Sequence, residues 1–311
     1  MDLNLESVPV VRLLKRCPIC ESKRTRPIRT EKNVFFEGIH PDVGVFTDTW
    51  SQLLKCLDCG FAFTKEIPVS PTFFVNRYDN SWYDPEHEVG SSRKSEILED
   101  IFQLIKKNGK SSGALLDVGS FAGKLMTVAK EKGYPPEGIE INPKLANYSR
   151  EKLGFTVYCG EFQKIEVPSN HYEVVTIIDV LEHLVDPKVV LVNLSKSMKE
   201  GALLVIKVPY YPMQILKQSI ANFLRISDAG MFTNFAHINH FSVRSMKKAL
   251  DLVGLDLVEV QMARSEEWGS DKSLYWFRNF LRFGFWHFSR LVYSLTGILI
   301  AFNANYIAKK R

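Results

Sequence analysis

Four acidic residues mark the part of the chain that is best suited to ligand chemistry. They are Asp117, Glu140, Glu161 and Asp179, and each follows a short apolar run of the kind that forms a buried strand. If these strands are parallel, their carboxyl ends meet at one edge of a sheet and the four carboxylates lie side by side. Such a row repels phosphate, but it accepts hydrogen bonds from hydroxyl and amino groups and attracts positive charge. The pattern therefore predicts a ligand with hydroxyl, amine and cationic groups.

A glycine turn follows the first of these runs, in the sequence LLDVGSFAG at 115–123. A dinucleotide-binding turn has the pattern G-x-G-x-x-G, whose glycines let the backbone approach a pyrophosphate. Counted from Gly119, the second and third glycines of that pattern would fall on Phe121 and Lys124. The dinucleotide pattern is therefore absent, and Gly119 and Gly123 predict a close approach of the backbone to a different ligand.

Four of the five cysteines form two C-x-x-C pairs, Cys17 with Cys20 and Cys56 with Cys59. Each pair places two thiolates on one tight turn, and two such turns make a tetrahedral site that suits structural zinc. The interval between the pairs exceeds the usual ~15–20 residues, so we expect an inserted hairpin or loop. A redox pair or unligated thiols are the alternatives. We expect the fifth cysteine, Cys159, to be buried on a strand.

Three histidines are candidates for proton transfer. His183 follows the fourth predicted strand directly, and His237 and His240 lie in NFAHINHFS, after the fifth. All three are expected at the edge that carries the acids, where an acceptor hydroxyl would need a base. The alternative is an ordinary hydrogen-bonded role in a loop. The H-x-x-H spacing could also suit a metal, but the sequence shows no third ligand, so we expect none there.

The elements that position these residues alternate between strand and helix from Ser95 to about Arg264. Near-continuous apolar strands separated by helices predict a parallel sheet covered on both faces, which is an α/β fold. We expect a doubly wound, mostly parallel, seven-stranded sheet, with the segment NYIAKKR at the end of the chain as its last strand. In such sheets, ligands bind at the carboxyl ends of the strands.

LLDVGSFAG, GIEIN, GEF and IIDVLEHLVDP, in this order and spacing, resemble the motifs of class I S-adenosylmethionine-dependent methyltransferases. The resemblance implies a Rossmann-like core with S-adenosylmethionine as the cofactor. It implies that Gly119 and Gly123 admit the methionine moiety and that Asp117 orients the loop or the ammonium. The resemblance also implies that Glu140 binds the ribose hydroxyls and that Glu161 or Phe162 contacts adenine. It implies that Asp179 lies near the reactive methyl.

The predicted domain organisation has three parts. Residues 1–66 form a zinc ribbon-like module, 67–94 a connector, and 95–311 the methyltransferase domain with an apolar, basic helical insertion at about 266–303. A zinc-knuckle module ahead of such a core, together with the H-x-x-H-F-S loop, also resembles a bacterial group that modifies sugars and polysaccharides. In that group the extra module helps to form the acceptor site.

The insertion mixes aromatic and basic residues. Its apolar run after Arg290 is too short to cross a bilayer, since a span needs about 20 residues. Residues 274–303 therefore suit an interfacial helix or hairpin in peripheral contact with a membrane. Packing on the domain or a homodimer interface is the alternative.

Bulk properties limit the function classes. The net charge of +5 is too mild to mark a nucleic-acid-binding protein by itself. The first residues lack a basic start followed by an apolar run, so we expect a cytoplasmic protein, or one peripheral at the inner membrane surface. The predicted activity is O-methylation of a sugar hydroxyl on a saccharide or glycolipid intermediate. The alternatives are a methyltransferase for a quinone or other lipid-like small molecule, and a non-catalytic zinc-containing binding protein.

Overall fold

The computed structural model describes residues 11–32, 50–68, 84–90, 94–223, 237–264, 275–296 and 298–311. Residues 33–49, about half of the segment between the two cysteine pairs, and most of the predicted connector lie outside these ranges. The division into domains at 66 and 94 therefore stays a prediction.

The N-terminal part consists of short strands. They are β1 (Val11–Leu13), β2 (Thr25–Lys32), β3 (Trp50–Cys56), β4 (Ala62–Thr64) and β5 (Glu66–Pro68). β2, β3 and β4 pair antiparallel, and β1 pairs antiparallel with β5.

Strands and helices then alternate as the sequence predicts. The helices are α1 (Pro85–Gly90), α2 (Ser95–Lys107), α3 (Lys124–Glu131), α4 (Pro143–Glu151), α5 (Pro187–Ser197), α6 (Tyr211–Phe223), α7 (Val243–Asp251) and α8 (Tyr275–Thr296). The strands are β6 (Leu115–Val118), β7 (Pro136–Glu140), β8 (Thr156–Cys159), β9 (Tyr172–Ile178), β10 (Met198–Pro209), β11 (Asn239–His240), β12 (Leu255–Ala263) and β13 (Asn303–Lys310).

Seven strands form the central sheet, in the order β12-β13-β10-β9-β6-β7-β8. Only β13 runs against its neighbours, β10 and β12, and the remaining pairs are parallel. This is the mostly parallel, doubly wound, Rossmann-like sheet that the sequence predicts, so the predicted fold class is confirmed. The carboxyl ends of the parallel strands share one edge of the sheet, which we call the carboxyl edge.

Local sequence explains how the flanking helices form. α2 buries one face, with Ile97, Ile101 and Ile105 among its buried residues at helical spacing. α4 begins at Pro143 behind the cap residue Asn142, whose side chain accepts hydrogen bonds from the first turn. α7 begins after the cap residue Ser242, whose side chain accepts a hydrogen bond from the Ser245 amide. These caps fix where the loops at the carboxyl edge end.

A second sheet joins distant parts of the chain, in the order β11-β4-β3-β2. β11 comes from the segment after β10, and it pairs antiparallel with β4 through Asn239–Phe63 and His240–Ala62. The apolar core is continuous across this junction, since Phe61 and Phe241 pack together with ring centroids 4.8 Å apart. The N-terminal strands are therefore packed directly on the part of the chain that carries the predicted catalytic histidines.

Three details differ from the sequence predictions or extend them. Cys159, expected to be buried, is exposed because β8 is an edge strand of the central sheet. An additional helix, α6, lies between β10 and β11. The insertion at 266–303 contains one 22-residue helix, α8. None of the helices in the described ranges combines the length and apolarity that a membrane span requires.

Candidate functional site

The loops that follow β6 and β9 lie next to each other, because these two strands are neighbours in the sheet although they are far apart in the chain. Successive strands are added to one side of β6 as far as β8 and to its other side from β9 onward, and this switch leaves a crevice above the carboxyl ends of β6 and β9. Asp117, the glycine loop and Asp179 belong to these two strands and their loops. Glu140 ends β7, the strand on the other side of β6.

The glycine loop owes its shape to both predicted glycines. Gly119 has a φ of +76°, and a Cβ atom there would lie 2.3 Å from Cγ2 of Val180. Gly123 also has a positive φ, at +89°, directly before α3. Phe121, between them, adopts a φ of 50°, which is uncommon for a side chain of this size. The loop is therefore held in a conformation that only small residues adopt without strain at 119 and 123.

Glu140 fixes this loop. Its side chain is buried, with Oε2 accepting a hydrogen bond from the Phe121 amide and Oε1 from the Asn142 amide, both at 2.8 Å. Burial raises the pKa of Glu140, and the backbone donors oppose that effect. A carboxylate has about four acceptor positions, so both oxygens retain capacity for further donors such as a pair of hydroxyls.

Asp117 lies beneath the same loop and is fully buried. Thr176 on β9 donates a hydrogen bond from Oγ1 to Asp117 Oδ1 at 2.7 Å. Burial, with a smaller contribution from the charge of Glu140, raises the pKa of Asp117 from 3.8 to about 7. A buried carboxylate with so little compensation is suited to a cationic ligand group.

Asp179, after β9, meets a cation that the sequence analysis did not single out. Lys207 on β10 is only 2% exposed, and its Nζ lies 2.7 Å from Asp179 Oδ1. Asp179 itself has a left-handed backbone, with a φ of 55°. The pair therefore joins β10 to the loop that follows its neighbour β9.

Two of the three histidines meet beside this pair. The rings of His183 and His237 lie 4.8 Å apart between centroids. Ligand atoms of Glu182, His183 and His237 all lie within 4.8 Å of one another, which is also close enough for one metal ion. Burial and the Asp179 charge raise the pKa of Glu182 well above its usual range, and its Oε2 has no hydrogen-bond partner among the described residues.

Asn239 brings His237 to this position. Its side-chain amide donates to the carbonyl oxygens of Leu181 and Leu184, at 3.2 and 2.6 Å, which flank the turn that carries His183. The amide of Ile238 also donates to the Glu182 carbonyl. Three hydrogen bonds therefore attach the residues after His237 to the turn after β9.

His240 has a different environment. It belongs to β11, it is buried, and its ring centroid lies 6.0 Å from that of Tyr211. Burial, assisted by the nearby His237, lowers the pKa of His240 to about 3. Such a weak base is poorly matched to proton abstraction near neutral pH, and the catalytic role of the three histidines stays a prediction.

The sequence of residues 90–260, more than half of the chain, matches a family model described as a methyltransferase domain. The chain belongs to this methyltransferase family. The predicted class I S-adenosylmethionine-dependent methyltransferase is thereby confirmed at the level of the family.

Curated relatives of this methyltransferase have narrower names. Two are ubiquinone biosynthesis O-methyltransferases, from Nitrosomonas europaea at 28% identity over 128 residues and from Aliivibrio fischeri at 26% over 153 residues. These matches cover 39% and 44% of this chain and 52% and 62% of the relatives, so the chain spans only part of the length of either relative.

Solved structures with a similar fold include two methyltransferases. Magnesium protoporphyrin IX methyltransferase from Synechocystis, with bound S-adenosylhomocysteine, has a TM-score of 0.49 at 12% identity, over 75% of this chain and 91% of its own. An S-adenosylmethionine-dependent methyltransferase from Archaeoglobus fulgidus has a TM-score of 0.46 at 18% identity, over 72% and 97%.

The four paired cysteines of this methyltransferase come together as predicted. The Sγ atoms of Cys17, Cys20, Cys56 and Cys59 lie within 4.8 Å of one another, with distances of 3.6 Å for Cys17–Cys59 and for Cys20–Cys56. Arg244 of α7 donates from Nη2 to the carbonyl of Asp58 in the second knuckle. Cys56 ends β3 and Cys59 lies in the turn between β3 and β4, so the cluster adjoins the sheet that contains β11.

The predicted adenine contacts lie past β8. Glu161 pairs with Lys164 at 2.7 Å near the surface, and Phe162 is buried against the core below. Their assignment to adenine stays a prediction, as do the assigned roles of Asp117, Glu140 and Asp179.

Sequence reasoning missed several residues of the site. Lys207 and Thr176 could have been noticed as polar residues inside the apolar runs of β10 and β9. Glu182, next to His183, had a weaker signal because acids are common in turns. Asn239 carried no signal in the sequence, because its hydrogen-bond partners are fixed only when β11 pairs with β4.

Proposed function

We propose that this chain is an O-methyltransferase that uses S-adenosylmethionine to methylate a hydroxyl group of a lipid-like acceptor. The observation that carries the proposal is the meeting of two groups of residues at the carboxyl edge. Asp117, Glu140 and the glycine loop lie on one side, and the cluster of Glu182, His183 and His237 lies beside Asp179.

The residues of the first group fit the cofactor. Glu140 offers both carboxylate oxygens to the ribose hydroxyls while the Phe121 and Asn142 amides hold it in place. Asp117, buried beneath the glycine loop, provides the negative charge that an α-ammonium group requires. The cofactor supplies an electrophilic methyl group on its sulfonium.

The second group serves the acceptor. Displacement at the methyl carbon requires a hydroxyl held in line and, for a weakly acidic hydroxyl, a base within hydrogen-bond reach. His183 or His237 receives the hydroxyl proton, and a Glu182 carboxyl oxygen lies within 4.8 Å of both imidazoles. The Lys207–Asp179 pair holds the turn after β9 so that the histidine faces the crevice.

A substitution series tests the base. His183→Asn and His237→Asn should each lower kcat by at least tenfold while the dissociation constant for S-adenosylmethionine changes less than twofold. His171→Asn is the matched control, because His171 lies before β9 at the opposite edge of the sheet. Full activity in both variants would contradict a histidine base. Loss of activity on treatment with a chelator, restored by Mg²⁺ or Mn²⁺, would instead assign the three side chains to a metal ion.

The names of the relatives favour a quinone precursor as the acceptor, which was the alternative rather than the main sequence prediction. A sugar hydroxyl stays a second candidate, because the cysteine cluster and the H-x-x-H-F-S loop, which resemble the sugar-modifying group, are joined here in one sheet. Methyl transfer from labelled cofactor to a prenylated catechol, compared with a nucleotide sugar and a prenyl-phosphate sugar, distinguishes these acceptors. Transfer only to the free nucleotide sugar would contradict a lipid-like acceptor.

We also propose that the four cysteines bind one structural zinc ion. Four thiolates around zinc at ~2.3 Å lie roughly 3.8 Å apart, close to the observed sulfur separations of 3.6 Å. All four positions are cysteine, so the ion has no open position for catalysis. Its role is to hold the turns that precede β2 and β4, and through β4 the strand β11 next to His237.

The rival proposal, a non-catalytic zinc-containing binding protein, predicts cofactor binding without turnover, or no cofactor binding. Release of S-adenosylhomocysteine in the presence of an accepted acceptor distinguishes the enzyme from this rival.

A further inference from the structure

Two helices at the carboxyl edge present apolar side chains to solvent. On α6, Leu216, Ile220 and Phe223 are exposed at the spacing of one helical face, and Phe223 is 87% exposed. On α8, Phe288, Leu291 and Leu295 repeat the pattern, and Leu295 is 76% exposed. Single exposed leucines are ordinary, but two aligned stripes on neighbouring helices mark an interaction surface. We call these six residues the α6/α8 patch.

The two helices are joined at one residue of the carboxyl edge. Gln214 of α6 donates to the Phe302 carbonyl at 3.0 Å, and Phe285 of α8 stacks on the Phe302 ring with centroids 5.2 Å apart. Phe302 directly precedes Asn303, which pairs with Pro209 at the end of β10. The patch therefore flanks the same edge of the sheet as the proposed acceptor site.

The charged residues of α6 and α8 are all basic. The sequences of α6 and α8 contain Lys217, Arg278, Arg282 and Arg290 and no Asp or Glu. Arg290 stacks over Trp286 at 4.6 Å and has no acidic partner in the described part of the chain. Basic residues beside an exposed apolar stripe are the arrangement by which helices lie in the interface of an anionic bilayer.

We propose that the α6/α8 patch docks on the surface of an anionic membrane, which places the crevice next to a lipid-bearing acceptor. A second copy of the chain fits less well, because a two-fold dimer brings the same patch together from both sides. The exposed Lys217 and Arg290 of both copies would then come close together, with no acid in either helix to compensate them. The choice of acceptor rests on the proposed function, but the docking surface does not.

Vesicle flotation tests the proposal. Full-length protein should float with vesicles of phosphatidylcholine and phosphatidylglycerol (7:3) and remain at the bottom with phosphatidylcholine alone or at high salt. The double variants Leu291→Glu/Leu295→Glu and Leu216→Glu/Ile220→Glu should each bind the anionic vesicles at least tenfold more weakly. The matched control is Leu252→Glu, which changes an exposed leucine next to the opposite edge of the sheet and should bind as the parent does.

Several outcomes would overturn the proposal. The first is that the parent protein stays at the bottom with anionic vesicles. The second is that the Leu252→Glu control loses as much binding as the patch variants. The third is that the parent is a dimer that does not float, and that the patch variants convert this dimer to a monomer. Cofactor affinity is measured on the same samples. Flotation without cofactor binding would reject the proposed function and leave the membrane surface standing, whereas cofactor binding without flotation would do the reverse.

Discussion

Asp117 offers a direct test of how the cofactor site is built, because its burial should cost stability before any ligand is bound. The pKa of this carboxyl rises from 3.8 to about 7 on folding, mainly through burial. At about 1.4 kcal/mol per pH unit, the difference corresponds to roughly 4 kcal/mol of folding free energy at pH 8. The substitution Asp117→Asn removes the charge and keeps an oxygen that accepts from Thr176. It should therefore stabilise the ligand-free protein at pH 8.

The sign of the effect sets its pH dependence. The folded chain holds the Asp117 proton to a higher pH than the unfolded chain, so the stabilising contribution is complete below pH 3.8 and is lost as the pH rises through about 7. The advantage of Asp117→Asn should consequently be largest at pH 8 and fall to less than half at pH 5. In thermal melts at pH 8, we expect a rise on the order of 5 °C or more.

The same substitution should damage the site. If the ionised carboxylate receives the cofactor's ammonium, parent affinity for S-adenosylmethionine should be about tenfold weaker at pH 6 than at pH 8, because a proton must leave a group whose pKa is about 7. Asp117→Asn should bind more weakly at pH 8 and lose this dependence. Calorimetric titration at both pH values measures it. Equal stabilisation at pH 5 and pH 8, or none at either, would refute the assignment of the cost to a buried charge.

Three further substitutions test the acceptor side. Lys207→Met leaves Asp179, which is 29% exposed, without its cation. The unfolding free energy in urea titrations should fall, but by less than the ~3–5 kcal/mol expected for a fully buried pair. Adding Asp179→Asn should restore stability, and no recovery would contradict a paired role. Asn239→Asp replaces the donating amide by a carboxylate that faces two carbonyl oxygens. The value of kcat should therefore fall more than tenfold while cofactor affinity stays within twofold. Unchanged turnover would show that Asn239 does not position His237. Cys56→Ser should reduce bound zinc, measured by mass spectrometry, and kcat/KM together; full activity without zinc would separate the cluster from the site.

Sequence patterns predicted where Asp117 and Glu140 lie in the fold, because the determinants of that placement are local. Glu140 and Asp117 each lie at or next to the end of a strand whose apolar run defines it, so strand prediction alone places them at the carboxyl edge. The acceptor side depends on pairing across long sequence distances. His237 could not be placed beside His183 from the sequence, since its position follows from β11 pairing with β4 and from the Asn239 side chain. The exposure of Cys159 likewise depends on strand order, which the pattern does not specify.

The cofactor side and the acceptor side of the site should lose their structure under different conditions. The proposed cofactor residues Asp117 and Glu140 are held by β6 and β7 inside the central sheet. His237 instead precedes the two-residue strand β11, which belongs to a sheet whose turns depend on the four cysteines. Loss of the cysteine site should therefore loosen His237 long before it unfolds the cofactor crevice. As metal is removed, catalytic turnover should therefore be lost before cofactor affinity is lost. The difference between these two losses measures how much the N-terminal strands contribute to the acceptor side alone.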